Sequence, residues 1–231
     1  MENKLIYEFS SHKTDGEASL SNLLGSKGAN LAEMSKLGIE VPPGFTITTE
    51  VCNYFSHNNH LPDGLKEEIV NCVRNLESFS NKSFGEGKSP LLLSVRSGGM
   101  ISMPGMMDSI LNIGVNDENV GHLAETFSDE RFALDSYRRL IQMYSNVVLG
   151  VEHKRFEAVI ANKKRMDDVV SDADFNVDQL NWIINAYKNT VERFTGSKFP
   201  QDPYEQLLGA VEAVFSRWQP KRAVTYRKIN N

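Results

Sequence analysis

The stretch Ser94-Val-Arg-Ser-Gly-Gly-Met-Ile-Ser-Met-Pro-Gly-Met-Met-Asp-Ser-Ile-Leu-Asn112 decides how the chain is read. It begins as the end of an apolar strand, Leu91 to Arg96, expected to be buried, and then passes into Gly, Ser, Met and Pro, a mixture that interrupts any regular element. Gly98, Gly99 and Gly105 free the backbone to take positive φ or to approach a ligand closely, so that successive N–H groups can converge on an anion. Arg96, at the strand's end, adds a forked donor matched to phosphate oxygens. Two readings stay open here: a polyphosphate-binding loop, or a turn whose Arg96 makes a surface ion pair. Met103, Met106 and Met107 fit either, as core plugs or as soft contacts that repack around a ligand.

Upstream, Gly25-Ser-Lys-Gly-Ala-Asn30 is a second Gly-rich turn, and it opens directly into a helix expected from about Lys27 to Leu37, with Leu31, Met34 and Leu37 on one face and Gly38 as its stop. Free N–H groups and the positive dipole end make a helix start attractive to anions, and Lys27 would add a mobile charge, although taken alone a merely solvated lysine explains it better. Gly87-Lys88-Ser89 has the tail of a phosphate-loop motif, but Lys82 stands where its first glycine belongs and Pro90 follows where a helix must start, so it is rejected.

Around these turns, Leu5 to Phe9 and Phe45 to Thr48 read as short strands. A helix follows Pro62-Asp63-Gly64, with Leu65, Ile69, Cys72, Val73 and Leu76 at helical spacing. Strands alternating with helices imply an α/β layer. From about Asn116 onward helix follows helix. Phe132, Leu134, Tyr137, Leu140, Ile141, Tyr144 and Val148 mark a long amphipathic one ending at Gly150, followed by Glu152 to Met166, Val177 to Phe194 and Tyr204 to Trp218, with Asp202-Pro203 as the start signal of the last.

The 231 residues are 40% hydrophobic and 24% charged, ordinary for a folded domain, and the net charge of -5 speaks against nucleic acid and against attraction to anionic membranes. The two cysteines, Cys52 and Cys72, have no metal-ligand spacing and read as reduced packing residues. The five histidines are scattered, and His57-Asn-Asn-His60 reads as a solvated loop, so no metal site is expected. No run approaches the roughly 20 apolar residues of a membrane span, and the charged N-terminus is unlike a signal peptide, so a cytoplasmic location is expected.

Lys27-Gly-Ala-Asn-Leu-Ala-Glu-Met34, Gly38-Ile-Glu-Val-Pro-Pro-Gly-Phe45 and the Ser94 to Asn112 loop, in this order, resemble the start of the pyruvate, phosphate dikinases. Arg131-Phe-Ala-Leu-Asp-Ser-Tyr-Arg-Arg-Leu-Ile-Gln-Met143, and then Trp218, Arg222, Tyr226 and Arg227, continue the resemblance over essentially the whole chain. The related phosphoenolpyruvate synthases share the first two blocks, but Met103-Pro-Gly-Met-Met-Asp108 points to the dikinases. The resemblance implies the first part of an ATP-grasp fold: residues 1–115 as its α/β N-terminal subdomain, and 116–231 as a helical insertion that then returns to the grasp. It implies that Lys27, Arg96 and the backbone of Gly98, Gly99 and Gly105 contact ATP phosphates, that Arg138 and Arg139 bind phosphate, and that Mg²⁺ accompanies ATP. The phosphorylated histidine, the rest of the grasp and the pyruvate-binding domain are expected beyond Asn231, so that ATP and inorganic phosphate are the segment's own partners. Pyruvate would be reached only through those domains. The segment alone is expected to be inactive and monomeric, and the full-length enzyme a homodimer. The alternatives are a phosphoenolpyruvate synthase-like ATP-binding domain and a non-catalytic helical interaction module.

Overall fold

Ile6–Phe9 (β1) and Gly44–Ile47 (β2) pair antiparallel, Ile6 opposite Ile47 and Phe9 opposite Gly44, close to where their aromatic and β-branched residues place them. They belong to a computed structural model that describes residues 4–98 and 109–217. The expectations for Gly99, Met103, Gly105, Met106, Met107, Trp218, Arg222, Tyr226 and Arg227 lie outside the described residues. The described residues form two compact units that interleave along the sequence, one built from 4–80, 96–98 and 211–217, the other from 81–95 and 109–210.

In the first unit, α1 (Ser21–Lys36) is broken at Gly25, whose φ of 68° and ψ of 164° are not helical. Its buried residues are Leu24, Gly25, Gly28, Ala29 and Ala32. The expected face is therefore corrected, since Met34 and Leu37 are 38% and 68% exposed. The cause is proximity: a Cβ on Gly28 would lie 2.7 Å from the Thr46 side chain, so α1 sits on β2 too closely for large residues at the contact. The segment Thr49–Asn58 (α2), expected in part as loop, is a helix that buries Val51 and Phe55 and ends on Asn59 at φ 57°. Next comes α3 (Leu65–Ser80), and all five of its spaced apolar residues are buried. Leu65, Ile69 and Val73 are fully inaccessible, each worth roughly 1.5–3 kcal/mol of transfer free energy.

The second unit begins with a parallel pair of two-residue strands, β3 (Ser83–Phe84) and β4 (Pro90–Leu91). The strand β5 (Leu93–Arg96) pairs with β6 (Ser109–Ile113). The single buried strand expected from Leu91 to Arg96 is thus two short ones, and of their residues only Pro90 is buried. Ile110 and Ile113 of β6 enter the core instead, both at 0% exposure.

Helices α4 (Val120–Phe127), α5 (Glu130–Val147), α6 (His153–Asp167), α7 (Val177–Thr195) and α8 (Pro203–Ser216) follow. Their starts obey capping chemistry. Asp129 accepts from the Phe132 N–H, Asn176 and Gln179 form a capping box, and Asp202 accepts from the Glu205 N–H at 2.8 Å. The core lies where α5 meets α7, among Tyr137, Leu140, Ile141, Ile183 and Tyr187, with the Phe156 and Tyr187 rings edge-on at 4.8 Å. Phe132 departs from the expected stripe: it is 43% exposed and lies against the exposed Phe127 ring. No described helix is long and apolar enough to cross a membrane.

Candidate functional site

The glycine-rich start of α1 and the end of β5 meet. At Gly25 the backbone occupies a region open essentially to glycine alone. A Cβ built there would fall 1.9 Å from the carbonyl oxygen of Gly98, so the two main chains are in direct contact. Two residues on, the Lys27 ammonium donates to the Ser97 carbonyl oxygen at 3.0 Å, joining positions 70 apart in sequence. Ser97 is 8% exposed, whereas the Lys27 and Arg96 residues on either side of that bond are exposed. An ammonium has three donors, and this bond uses one. The arrangement is a surface cation seated on the backbone just past the end of β5, beside the break in α1 at Gly25. It is suited to an anion with several oxygens.

Of the residues expected to form the site, Lys27, Arg96 and Gly98 belong to this corner, while Gly99 and Gly105 lie outside the described residues. Arg138 and Arg139 belong to the second unit, on α5, and their surroundings differ. Arg138 is 4% exposed: its Nε donates to Asp135 Oδ1 at 2.8 Å, a terminal nitrogen lies 2.7 Å from the same oxygen, and Nη1 donates to Gln142 at 3.2 Å. Burial works against the charged guanidinium, but Asp135 and the Tyr187 hydroxyl outweigh it, and the Arg138 pKa is raised above its ordinary value. Arg139 places only its Nε on Asp135, at 2.8 Å, and its side chain is 61% exposed.

Ser97, Asp135, Gln142 and Tyr187 were not legible as parts of these constellations. For Arg138 itself the spacing carried a signal: it falls in helical register with Leu134, Ile141 and Ser145, and all four are buried, which marks it as an inward-facing cation. Ser97 offers only its carbonyl, which no residue type announces.

The rejected Gly87-Lys88-Ser89 tail lies between β3 and β4, with strand rather than helix after it. His57 bonds the Asn53 carbonyl within α2, and His60 the Leu61 carbonyl. Neither cysteine is in a disulfide, and burial, with Glu8 and Glu68 adding to it, pushes the Cys72 thiol up to about 12, as suits a packing residue. Among the described residues no group of three or more His, Cys, Asp or Glu is disposed to hold a metal ion.

A family profile described as "Pyruvate phosphate dikinase, AMP/ATP-binding domain" matches residues 21–83 and 58–231. The chain is 48% identical over 229 residues to the pyruvate, phosphate dikinase of Rickettsia conorii, covering 99% of this chain and 26% of that protein. It is 46% identical to the chloroplastic pyruvate, phosphate dikinase of Mesembryanthemum crystallinum, over 98% of this chain and 24% of the plant protein. With the pyruvate, phosphate dikinase of Clostridium symbiosum it shares 45% identity over 99% of this chain and 26% of the relative. The chain therefore spans about a quarter of the length of these curated relatives.

Proposed function

Because the chain belongs to the family of the pyruvate, phosphate dikinase AMP/ATP-binding domain, we propose that it supplies part of the ATP grip of such an enzyme. The reaction of the whole protein would be ATP, pyruvate and phosphate to AMP, phosphoenolpyruvate and pyrophosphate, through a phosphorylated histidine outside this segment. In this reading residues 1–115 are the α/β part of an ATP-grasp domain, and 116–231 are its helical insertion and the start of the return to the grasp. Lys27, Arg96 and the backbone of Gly98, Gly99 and Gly105 hold the polyphosphate. Exposed Arg139 is the member of the arginine pair with donors to spare, and Arg138 supports it from inside through Asp135. Inorganic phosphate is the second acceptor.

The observation that carries the reading is the contact of Gly25 and Lys27 with Ser97 and Gly98, which joins two phosphate-suited turns into one corner. Phosphoryl transfer asks little covalent chemistry of a protein and much positioning of charge. A lysine already seated by a carbonyl meets developing phosphate charge with little reorganisation, the condition under which electrostatic stabilisation is strongest. Mg²⁺ would arrive with the nucleotide and neutralise polyphosphate charge. The described residues provide no ligand set of their own for it.

The test uses the full-length polypeptide. Lys27→Ala and Arg96→Ala should each slow ATP-dependent phosphorylation of the histidine by about 100-fold, the scale of removing one preorganised donor. The pyruvate half-reaction should keep its rate. Wild-type phosphorylation rates in both variants would overturn the assignment.

A further inference from the structure

We infer that Gly25 is the positioning residue of this corner: the absence of a side chain at that one position seats the Lys27 ammonium on the Ser97 carbonyl before any ligand arrives. The inference rests on the proposed phosphate role of Lys27 for its functional meaning, but not for its geometry.

Two constraints act on Gly25 independently. Its φ of 68° with ψ of 164° is a conformation that L side chains rarely adopt. Its missing Cβ would also lie 1.9 Å from Gly98 O and 2.7 Å from Gly98 C, where real Cβ contacts below 3.0 Å are essentially never seen. Those opposing atoms are backbone, two residues past the end of β5, and cannot swing aside as a side-chain tip would. Among the described residues the requirement is one-sided, because a Cβ on Gly98 would meet only the Leu24 carbonyl oxygen there, at an ordinary 3.8 Å. A side chain at 25 must therefore push the start of α1 away from the strand end by more than an ångström. Lys27 sits two residues further along, in the part of α1 that follows the break at Gly25, and moves with it. Its bond to Ser97, now 3.0 Å, would pass beyond hydrogen-bonding reach. A displacement of that size in a group that orients reacting phosphate is worth about 100-fold in rate.

Other glycines of this unit are blocked for different reasons, and they supply the control. A Cβ on Gly44 would fall 2.7 Å from the Phe9 ring, across the β1–β2 pair, where no member of the site takes part. If Gly25 matters only for packing, Gly25→Ala and Gly44→Ala should differ in nothing but degree of destabilisation.

The experiment measures how fast Lys27 is modified by an amine-directed reagent, located by mass spectrometry, in wild type, Gly25→Ala and Gly44→Ala at a temperature where all three are folded. An ammonium seated on a carbonyl reacts more slowly than one free in water, so Gly25→Ala should raise the rate at Lys27 by about tenfold, the effect of one lost charge-assisted hydrogen bond. Gly44→Ala should leave it at the wild-type value. An unchanged rate in folded Gly25→Ala, or an equal rise in Gly44→Ala, overturns the inference. If Gly25→Ala does not fold, the Ser97–Gly98 amide is replaced by an ester, which adds no atom in the gap and weakens the Ser97 carbonyl as an acceptor. Faster labelling of Lys27 there supports the seat, and unchanged labelling overturns it. Repeating the measurement on the wild type with Mg-ATP separates the two claims: failure of nucleotide to slow labelling counts against the ATP reading, and the effect of Gly25→Ala stands or falls without it.

Discussion

Lys27 and Arg138 are both cations on helices, and their two units hold them in opposite ways. Lys27 reaches across exposed surface to a backbone carbonyl and, among the described residues, spends one of its three donors there. Arg138 is enclosed by side chains, with Asp135, Gln142 and Tyr187 gathered on one guanidinium. The difference separates binding from support. A charge with donors to spare at the surface can take up a ligand at little cost to the fold, whereas a buried charge engaged by its own side-chain partners stabilises its surroundings and would have to abandon them to bind anything.

The largest effect expected from this contrast is on stability in the second unit. Arg138→Ala strands Asp135 at 15% exposure with only Arg139 beside it, and should cost about 3–5 kcal/mol, read from urea unfolding. A cost under about 1 kcal/mol, the range of a surface pair, would break the contrast and return Arg138 to the ligand candidates. Next is Gly28→Ala, which drives a methyl group into Thr46 and should cost about 1–3 kcal/mol in thermal or urea unfolding. Thr46→Ala should recover part of that cost, which would confine the effect to the α1–β2 contact. The smallest stability change belongs to the proposed ligands. Lys27→Ala and Arg96→Ala should each shift unfolding by less than about 1 kcal/mol while carrying the large kinetic losses. A destabilisation of Lys27→Ala comparable to that of Arg138→Ala would erase the distinction.

What the sequence made legible follows the range of the forces involved. The helix α3 was readable because its burial follows its own periodicity, and Leu65, Ile69, Cys72, Val73 and Leu76 all face inward. The caps at Asp202 and Gly38 are likewise local, a side-chain oxygen in one case and a left-handed residue after the helix in the other, at φ 75°. The face of α1 was misread because hydrophobicity favours Leu31, Met34 and Leu37, while the partner strand stands so near that only Gly28, Ala29 and Ala32 fit against it. The helix α2 was missed because its apolar positions, Val51 and Phe55, are few among Asn, Ser and His. At the site, residue types identified Lys27, Arg96 and Gly98 as suited to phosphate, but not that they share a corner. That depends on main-chain contacts between distant positions, and a carbonyl or a missing Cβ leaves no pattern in a sequence.

The bond from Lys27 to Ser97 also has a chronology. It closes across 70 positions, so the lysine leaves the ribosome long before the carbonyl that seats it. At roughly 5–20 residues per second, the interval is several seconds, whereas a helix forms in about a microsecond. During synthesis α1 can therefore exist as a helix while its cation is still unmoored, and a nascent chain that ends before Ser97 has the lysine without its seat.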